Sequence, residues 1–345
     1  MGFPPFPDQI PRSRLDAAWI QAAIALPVAV VLGFAARIAG ARVGALDHPD
    51  AGLKPHARAV PYLGGLAVAG GLAAGVATRG WPLTAGVTVA LFAPLALGLA
   101  DDALRVPALV RLAVQVGLGA VTVWGLGVDI SASWVGILYA GAAVVLYAAA
   151  LNAVNMVDGM DGLAGSLAVV SGAGIAVVAV TVARHHPGIT AVCLAGAAAG
   201  FLFHNLRPAR LFLGDSGSYL VGAALAIAVL QGGRSVAELA GTAGCLGLFL
   251  LDLVLSLARR ATGRVPLHVG DRGHVYDQLL ARGASVWATL GICLAAHVVL
   301  VGAGVVAAQL STTGSLVLQA AVWAGAIAAL FALGFVKYRQ PASVR

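Results

Sequence analysis

The chain has 345 residues, of which 60% are hydrophobic and only 10% charged, and its mean hydropathy is +0.93. Apolar runs of about 18 to 23 residues recur along it, which is the pattern of bilayer-crossing helices and excludes a soluble globular fold. The net charge of +7 comes without a basic cluster interleaved with aromatics, so it excludes nucleic acid as a partner and reports on membrane topology instead.

Taken in chain order, eleven spans are expected, near residues 17–39, 62–78, 83–100, 108–125, 134–151, 165–183, 189–205, 216–231, 237–258, 287–309 and 316–336. They leave no room for a separate soluble domain, so residues 1–345 read as one all-α, polytopic integral membrane domain. Arg12 and Arg14 precede a full-length first span rather than a short cleavable one, so that span is expected to stay in the mature protein. The 45 glycines and the many alanines fit close helix packing in lipid. Cys193, Cys245 and Cys293 lie singly in apolar runs, without the spacing of a zinc site or a disulfide framework, and read as packing residues.

Alternating the loops puts 16 of the 21 basic residues on one side, leaving only Arg12, Arg14, Arg79, Arg184 and Arg234 on the other. The positive-inside rule makes the first side cytoplasmic, with the N-terminus outside and the C-terminus inside. The acids sort the same way without having been used: of 14, all but Asp8, Asp16, Asp129 and Glu238 are cytoplasmic or at cytoplasmic span ends.

Five segments on that side could carry chemistry. The loop from Asp47 to Gly65 holds Lys54 and His56, placed to meet an anionic ligand at the membrane face; the alternative is a solvated basic loop. Asp101 and Asp102 end the third span. Adjacent like charges raise at least one pKa unless a cation neutralises them, which suits a base or a Mg²⁺ partner. The alternative is an acid pair that caps the next helix or pairs with Arg105 or Arg111. Asn152, Asn155, Asp158 and Asp161 then repeat every third residue after an apolar run, with Gly159 and Gly162 permitting a bend. Capping a helix that starts near Leu163 would need one such residue, not four, so a reaction site is the stronger reading.

The segment from His204 to Ser218 contains Phe212-Leu-Gly-Asp215-Ser-Gly-Ser ahead of an apolar helix, either an N-cap or a hard oxygen ligand with room for hydrated Mg²⁺ and phosphates. Finally, Asp271-Arg272-Gly-His274-Val-Tyr276-Asp277 offers Arg272 and His274 to a diphosphate. His185 and His186, outside, read as solvated.

The order Lys-x-His, Asp-Asp, Asn-x-x-Asn-x-x-Asp-Gly-x-Asp-Gly, Phe-x-Gly-Asp-x-Gly-Ser and Asp-Arg-x-His resembles the polyprenyl-phosphate N-acetylhexosamine-1-phosphate transferases of glycosyltransferase family 4 type, from about Asp47 to Asp277. The resemblance implies a multi-pass enzyme of the bacterial inner membrane whose active site faces the cytoplasm. It implies transfer of a HexNAc-1-phosphate, GlcNAc-1-phosphate above all, from a UDP-sugar to undecaprenyl or decaprenyl phosphate, with release of UMP, to start a cell-envelope glycan. Mg²⁺ is the implied cofactor, with Mn²⁺ as a substitute, and a homodimer is the implied assembly. By motif position Asp215 would be the metal ligand and Asp101, Asp102 and Asp158 the catalytic acids. Lys54, His56, Asn155, Asp161, Phe212, Arg272 and His274 would bind substrate, Phe212 by stacking on uracil. The UDP-GlcNAc branch typically carries His-x-His-His after Asp-Arg, whereas this chain has His274-Val-Tyr276-Asp277. The muramoyl-pentapeptide branch, with three consecutive histidines, fits less well. That branch and a nucleotide-sugar transporter are the competing readings, although a transporter would place its ionisable residues at the membrane midplane.

Overall fold

In the computed structural model, residues 18–48, 58–128, 134–183, 188–233, 235–263 and 273–335 are described. Helix occupies all eleven expected segments. The helices are α1 (Ala18–Val43), α2 (Gly64–Ala77), α3 (Ala85–Leu104), α4 (Ala108–Gly125), α5 (Trp134–Val157), α6 (Leu163–Val178), α7 (Ile189–Asn205), α8 (Gly214–Gly232), α9 (Val236–Gly244), α10 (Gly247–Gly263), α11 (Val275–Ala281), α12 (Val286–Ala307) and α13 (Thr312–Ala332). A two-residue antiparallel ladder joins β1 (Leu46–Asp47) to β2 (Val60–Pro61).

The chain is an all-α polytopic membrane protein. Among the described residues seven helices are long and apolar enough to cross a bilayer, or eight if α9 and α10 form one broken span. The 14-residue α2 rises only about 21 Å, less than the hydrocarbon core, and survives because it is packed between α1, α7 and α8. At the centre is α8, whose residues are buried on every face and which touches α2, α3, α5, α6, α7 and α9. A helix apolar or small all round belongs inside such a bundle. Gly98 lets α3 approach the start of α8: a Cβ there would lie 2.3 Å from the Ser216 backbone.

Two expectations change. The segment at 237–258 is not one continuous helix but α9 and α10, bent by 80°. The break is stabilised from α12, where the buried His297 accepts the Leu248 N–H on Nδ1 at 3.1 Å, a donor that has no partner within α10. Its Nε2 lies 3.1 Å from the Leu167 carbonyl oxygen, so the imidazole ties α6 to the bend. The fifth span ends later than 151. It runs on to Val157, so Asn152 and Asn155 sit on its last turns. The three cysteines are buried and free.

Candidate active site

The third-residue polar ladder begins on α5 and ends in the turn to α6. Gly162, with φ 76°, is the N-cap of α6 and supplies no side chain, so the ladder is not spent on capping that helix. The side chains go elsewhere. Asn155 donates from Nδ2 to Asp215 Oδ1 at 2.6 Å and to Ser218 Oγ at 3.0 Å, which fastens α5 to the first turn of α8. Asn152 donates from Nδ2 to Gln115 Oε1 at 2.6 Å, which fastens α5 to α4. Asp161 accepts the Ala209 N–H at 3.2 Å and stands 3.8 Å from an Arg207 guanidinium nitrogen.

The acid pair at the end of α3 is split between two tasks. Asp101, 5% exposed, forms an ion pair with Arg111 of α4 and accepts the Tyr219 hydroxyl at 3.0 Å. Asp102 accepts the backbone N–H groups of Asp215 at 3.1 Å and Ser216 at 3.4 Å, capping the positive end of α8. Capping does occur, but of α8 and not of the next helix, α4, whose N-cap is Pro107 with no side-chain bond. Asp215 is thereby held by a backbone bond to Asp102 and a side-chain bond from Asn155. Phe212, just before it, is fixed through its backbone: its N–H donates to the Pro61 carbonyl at 2.8 Å and its carbonyl accepts from Gly64 at 2.9 Å.

Asp158 sits half-buried beyond the end of α5. Burial, together with the nearby charges of Asp215 and Asp102, pushes its carboxyl well above the usual carboxylate range. Among the described residues no donor hydrogen-bonds that carboxyl. From α10 the buried Asp252 carboxylate pairs with His274 Nδ1 and accepts the Val275 N–H at 2.9 Å.

One open cavity of about 2250 Å³ collects Asp101, Asp102, Asn155, Asp158, Asp161, Phe212, Asp215 and His274 on its lining. Every sequence-selected site residue that is described therefore lines the same space. Lys54, His56 and Arg272 lie outside the described residues. Arg111 and Arg207 also line it, as do Arg260 and Tyr276. Tyr219, Gln115 and Asp252 join the site without belonging to any of the five sequence segments. Polar groups inside apolar runs were the available signal for each. From the carboxylates the lining continues into an apolar trough of Leu109, Leu112, Val116, Val144, Val145 and Ala149 on α4 and α5, with Leu253 and Leu257 from α10.

The donor set is suited to a hard cation. It is made of carboxylate and amide oxygens, with Asp215 and Asp158 in mutual repulsion. Among the described residues, however, no three His, Cys, Asp or Glu side chains gather to hold a metal by themselves. A Mg²⁺ ion, which commonly takes one or two carboxylates and completes its shell with water and substrate phosphate, would not require three such side chains.

A sequence profile of glycosyl transferase family 4 matches residues 84–233, the stretch from the start of α3 to the end of α8 that carries the acid pair, the ladder and Asp215. The chain is 30% identical over 279 residues to the probable undecaprenyl-phosphate N-acetylglucosaminyl 1-phosphate transferase of Bacillus subtilis, covering 75% of this chain and 76% of that one. It is 32% identical over 312 residues to the decaprenyl-phosphate N-acetylglucosaminephosphotransferase of Mycolicibacterium smegmatis, covering 76% of each. A phospho-N-acetylmuramoyl-pentapeptide-transferase of Clostridium botulinum is 44% identical, but over 95 residues, 28% of this chain.

Proposed function

This chain belongs to glycosyl transferase family 4, and from that premise we propose that it moves N-acetylglucosamine 1-phosphate from UDP-GlcNAc to a polyprenyl phosphate, releasing UMP. The observation that carries the reading is the continuity of the cavity: a carboxylate-lined end opens into an apolar trough between α4 and α5. A water-soluble nucleotide sugar and a membrane-bound acceptor need such a shared space, polar at one end and apolar at the other. The N-acetylglucosamine named for the relatives that match over about three quarters of the chain favours GlcNAc over a muramoyl pentapeptide.

The reaction forms a bond from an acceptor phosphate oxygen to the sugar-bearing phosphorus of the donor and breaks that phosphorus's bond to the oxygen bridging to UMP. An ionised phosphate oxygen is already a nucleophile, so the demand on the protein is alignment and charge balance. Arg111, fixed by Asp101 at the junction of trough and carboxylates, supplies positive charge where the acceptor phosphate would stop. Asn155 and Asp102 fix Asp215, and Asp158 faces the same space. Asp215 and Asp158 would hold Mg²⁺, which when bound would neutralise diphosphate charge. Phe212 offers an aromatic face to the uracil. The arginines on the lining, Arg105, Arg111, Arg207 and Arg260, belong to the residue-rich basic side, which supports a cytoplasmic opening. A homodimer goes with the family reading and is checked by mass in detergent.

The test is to incubate purified protein with undecaprenyl phosphate and a panel of UDP-sugars, assaying UMP and the mass of the lipid product. UDP-GlcNAc should be converted. EDTA should abolish conversion, and Mg²⁺ or Mn²⁺ should restore it. Conversion of UDP-MurNAc-pentapeptide alone would overturn the donor, full activity in EDTA would overturn the metal, and no lipid product with any donor would overturn the reaction.

A further inference from the structure

Tyr276 bridges two walls of the cavity. Its ring stacks on His274, with centroids 5.8 Å apart and planes 5° apart, and His274 is itself paired with Asp252 of α10. Its hydroxyl lies against Gly159, in the turn between Asp158 and Asp161. A Cβ at Gly159 would lie 1.9 Å from Oη and 2.8 Å from Cζ, so the hydroxyl fills the volume that any side chain there would need.

The mount for this contact is stiff. Tyr276 is 7% exposed. Asp252 holds the start of α11 through Val275, and Gln278 donates from Nε2 to the carbonyls of Gly273 and Phe335, each at 2.7 Å. The turn on the other side carries Asp158, whose carboxyl has no described hydrogen-bond donor to fix it. A rigid hydroxyl against the next residue limits where that carboxyl can sit.

We infer that Tyr276 is a positioning residue for Asp158, acting through Gly159, and that it sets the rate of turnover more than the binding of the acceptor lipid. The inference rests on the transfer reaction proposed above. Tyrosine suits this task because its ring is planar enough to stack on His274 and long enough to reach the turn.

A mutant cycle tests it. Gly159→Ala pushes a methyl into the hydroxyl, and the stacked ring has little freedom to swing away, so the turn must move. The expected result is a fall in kcat of about a hundredfold, the scale of a misplacement of about 1 Å, with KM for undecaprenyl phosphate unchanged. Tyr276→Phe removes the closest atom and leaves Cζ at 2.8 Å, which a small shift can absorb. Adding it to Gly159→Ala should recover kcat at least about tenfold, as coupled neighbours do. Tyr276→Ala crowds nothing but empties a buried site, so its melting temperature should fall. In the folded variant kcat should fall about tenfold with KM for undecaprenyl phosphate unchanged, a split that loss of stability alone does not produce. Absence of recovery in a folded double variant, or wild-type kcat in Tyr276→Ala, would overturn the inference. Should Gly159→Ala fail to fold, Tyr276→Ala decides alone. Failure of the transfer reading shows differently, as a wild-type protein that converts no UDP-sugar.

Discussion

Asp158 stands apart from the carboxylates around it. Asp101 is held by Arg111 and Tyr219, Asp102 by two N–H groups of α8, Asp161 by Ala209 and Asp215 by Asn155. An ionisable group left without donors and facing two like charges costs stability, and such groups concentrate where chemistry is done. Asp158→Asn should therefore lower UMP release by about a hundredfold or more while leaving the thermal midpoint unchanged or raised, because a repulsion is removed. Undiminished turnover would take Asp158 out of the site. Arg111→Met should behave oppositely in stability. It leaves the buried Asp101 without its cation, at a cost of about 2 kcal/mol, below the range for fully buried pairs because the arginine side chain is 30% exposed. The readout is a lower melting temperature in detergent together with a higher KM for the acceptor, and an unchanged melting temperature would show that the pair contributes little.

At the scale of elements, the placement of Asp215 depends on how α8 begins. Asp102 reaches the Asp215 and Ser216 N–H groups only because Gly98 lets the end of α3 lie against that backbone. Asp102→Ala should remove the cap, lowering stability by about 1 kcal/mol and lowering kcat through the displaced Asp215. Asp102→Asn keeps an acceptor oxygen and should retain most of the stability. Comparing melting temperatures and kcat for the two variants separates capping from charge, and equal stability losses would show that the cap is not the contribution. The ladder from Asn152 to Asp161 was legible in sequence because it is local, one helix end with polar groups at helical spacing. The partners of Asp101 and Asp102 were not, since Tyr219 is 118 residues and Asp215 113 residues away, and only tertiary packing selects Arg111 over Arg105. The break between α9 and α10 has no proline to announce it. Gly244 and Gly247 flank it, and the residue that stabilises it, His297, showed in the sequence only as a polar group in an apolar span 49 residues from Leu248.

For the whole molecule, hydropathy located the apolar helical segments, though not the seven-residue α11, and could not say which cross the bilayer alone. The 14-residue α2 and the 17-residue α7 are shorter than the long spans and lean on the central bundle. Orientation rests on the 16-to-5 division of basic residues, which predicts that Arg79 and Arg282 lie on opposite sides of the membrane. Arg282 is exposed and Arg79 half-buried, each in a turn just past the end of a helix. The three native cysteines are buried, so a membrane-impermeant maleimide should give little background on intact cells. Arg79→Cys should be labelled without permeabilisation and Arg282→Cys only after it. Because Arg282 follows α11, the helix that carries Tyr276 onto the cavity wall, its sidedness also reports that of the cavity. The reverse labelling pattern would put the carboxylate cluster on the outer face, where cytoplasmic nucleotide sugars could not reach it, and would overturn the topology and the cytoplasmic donor supply together.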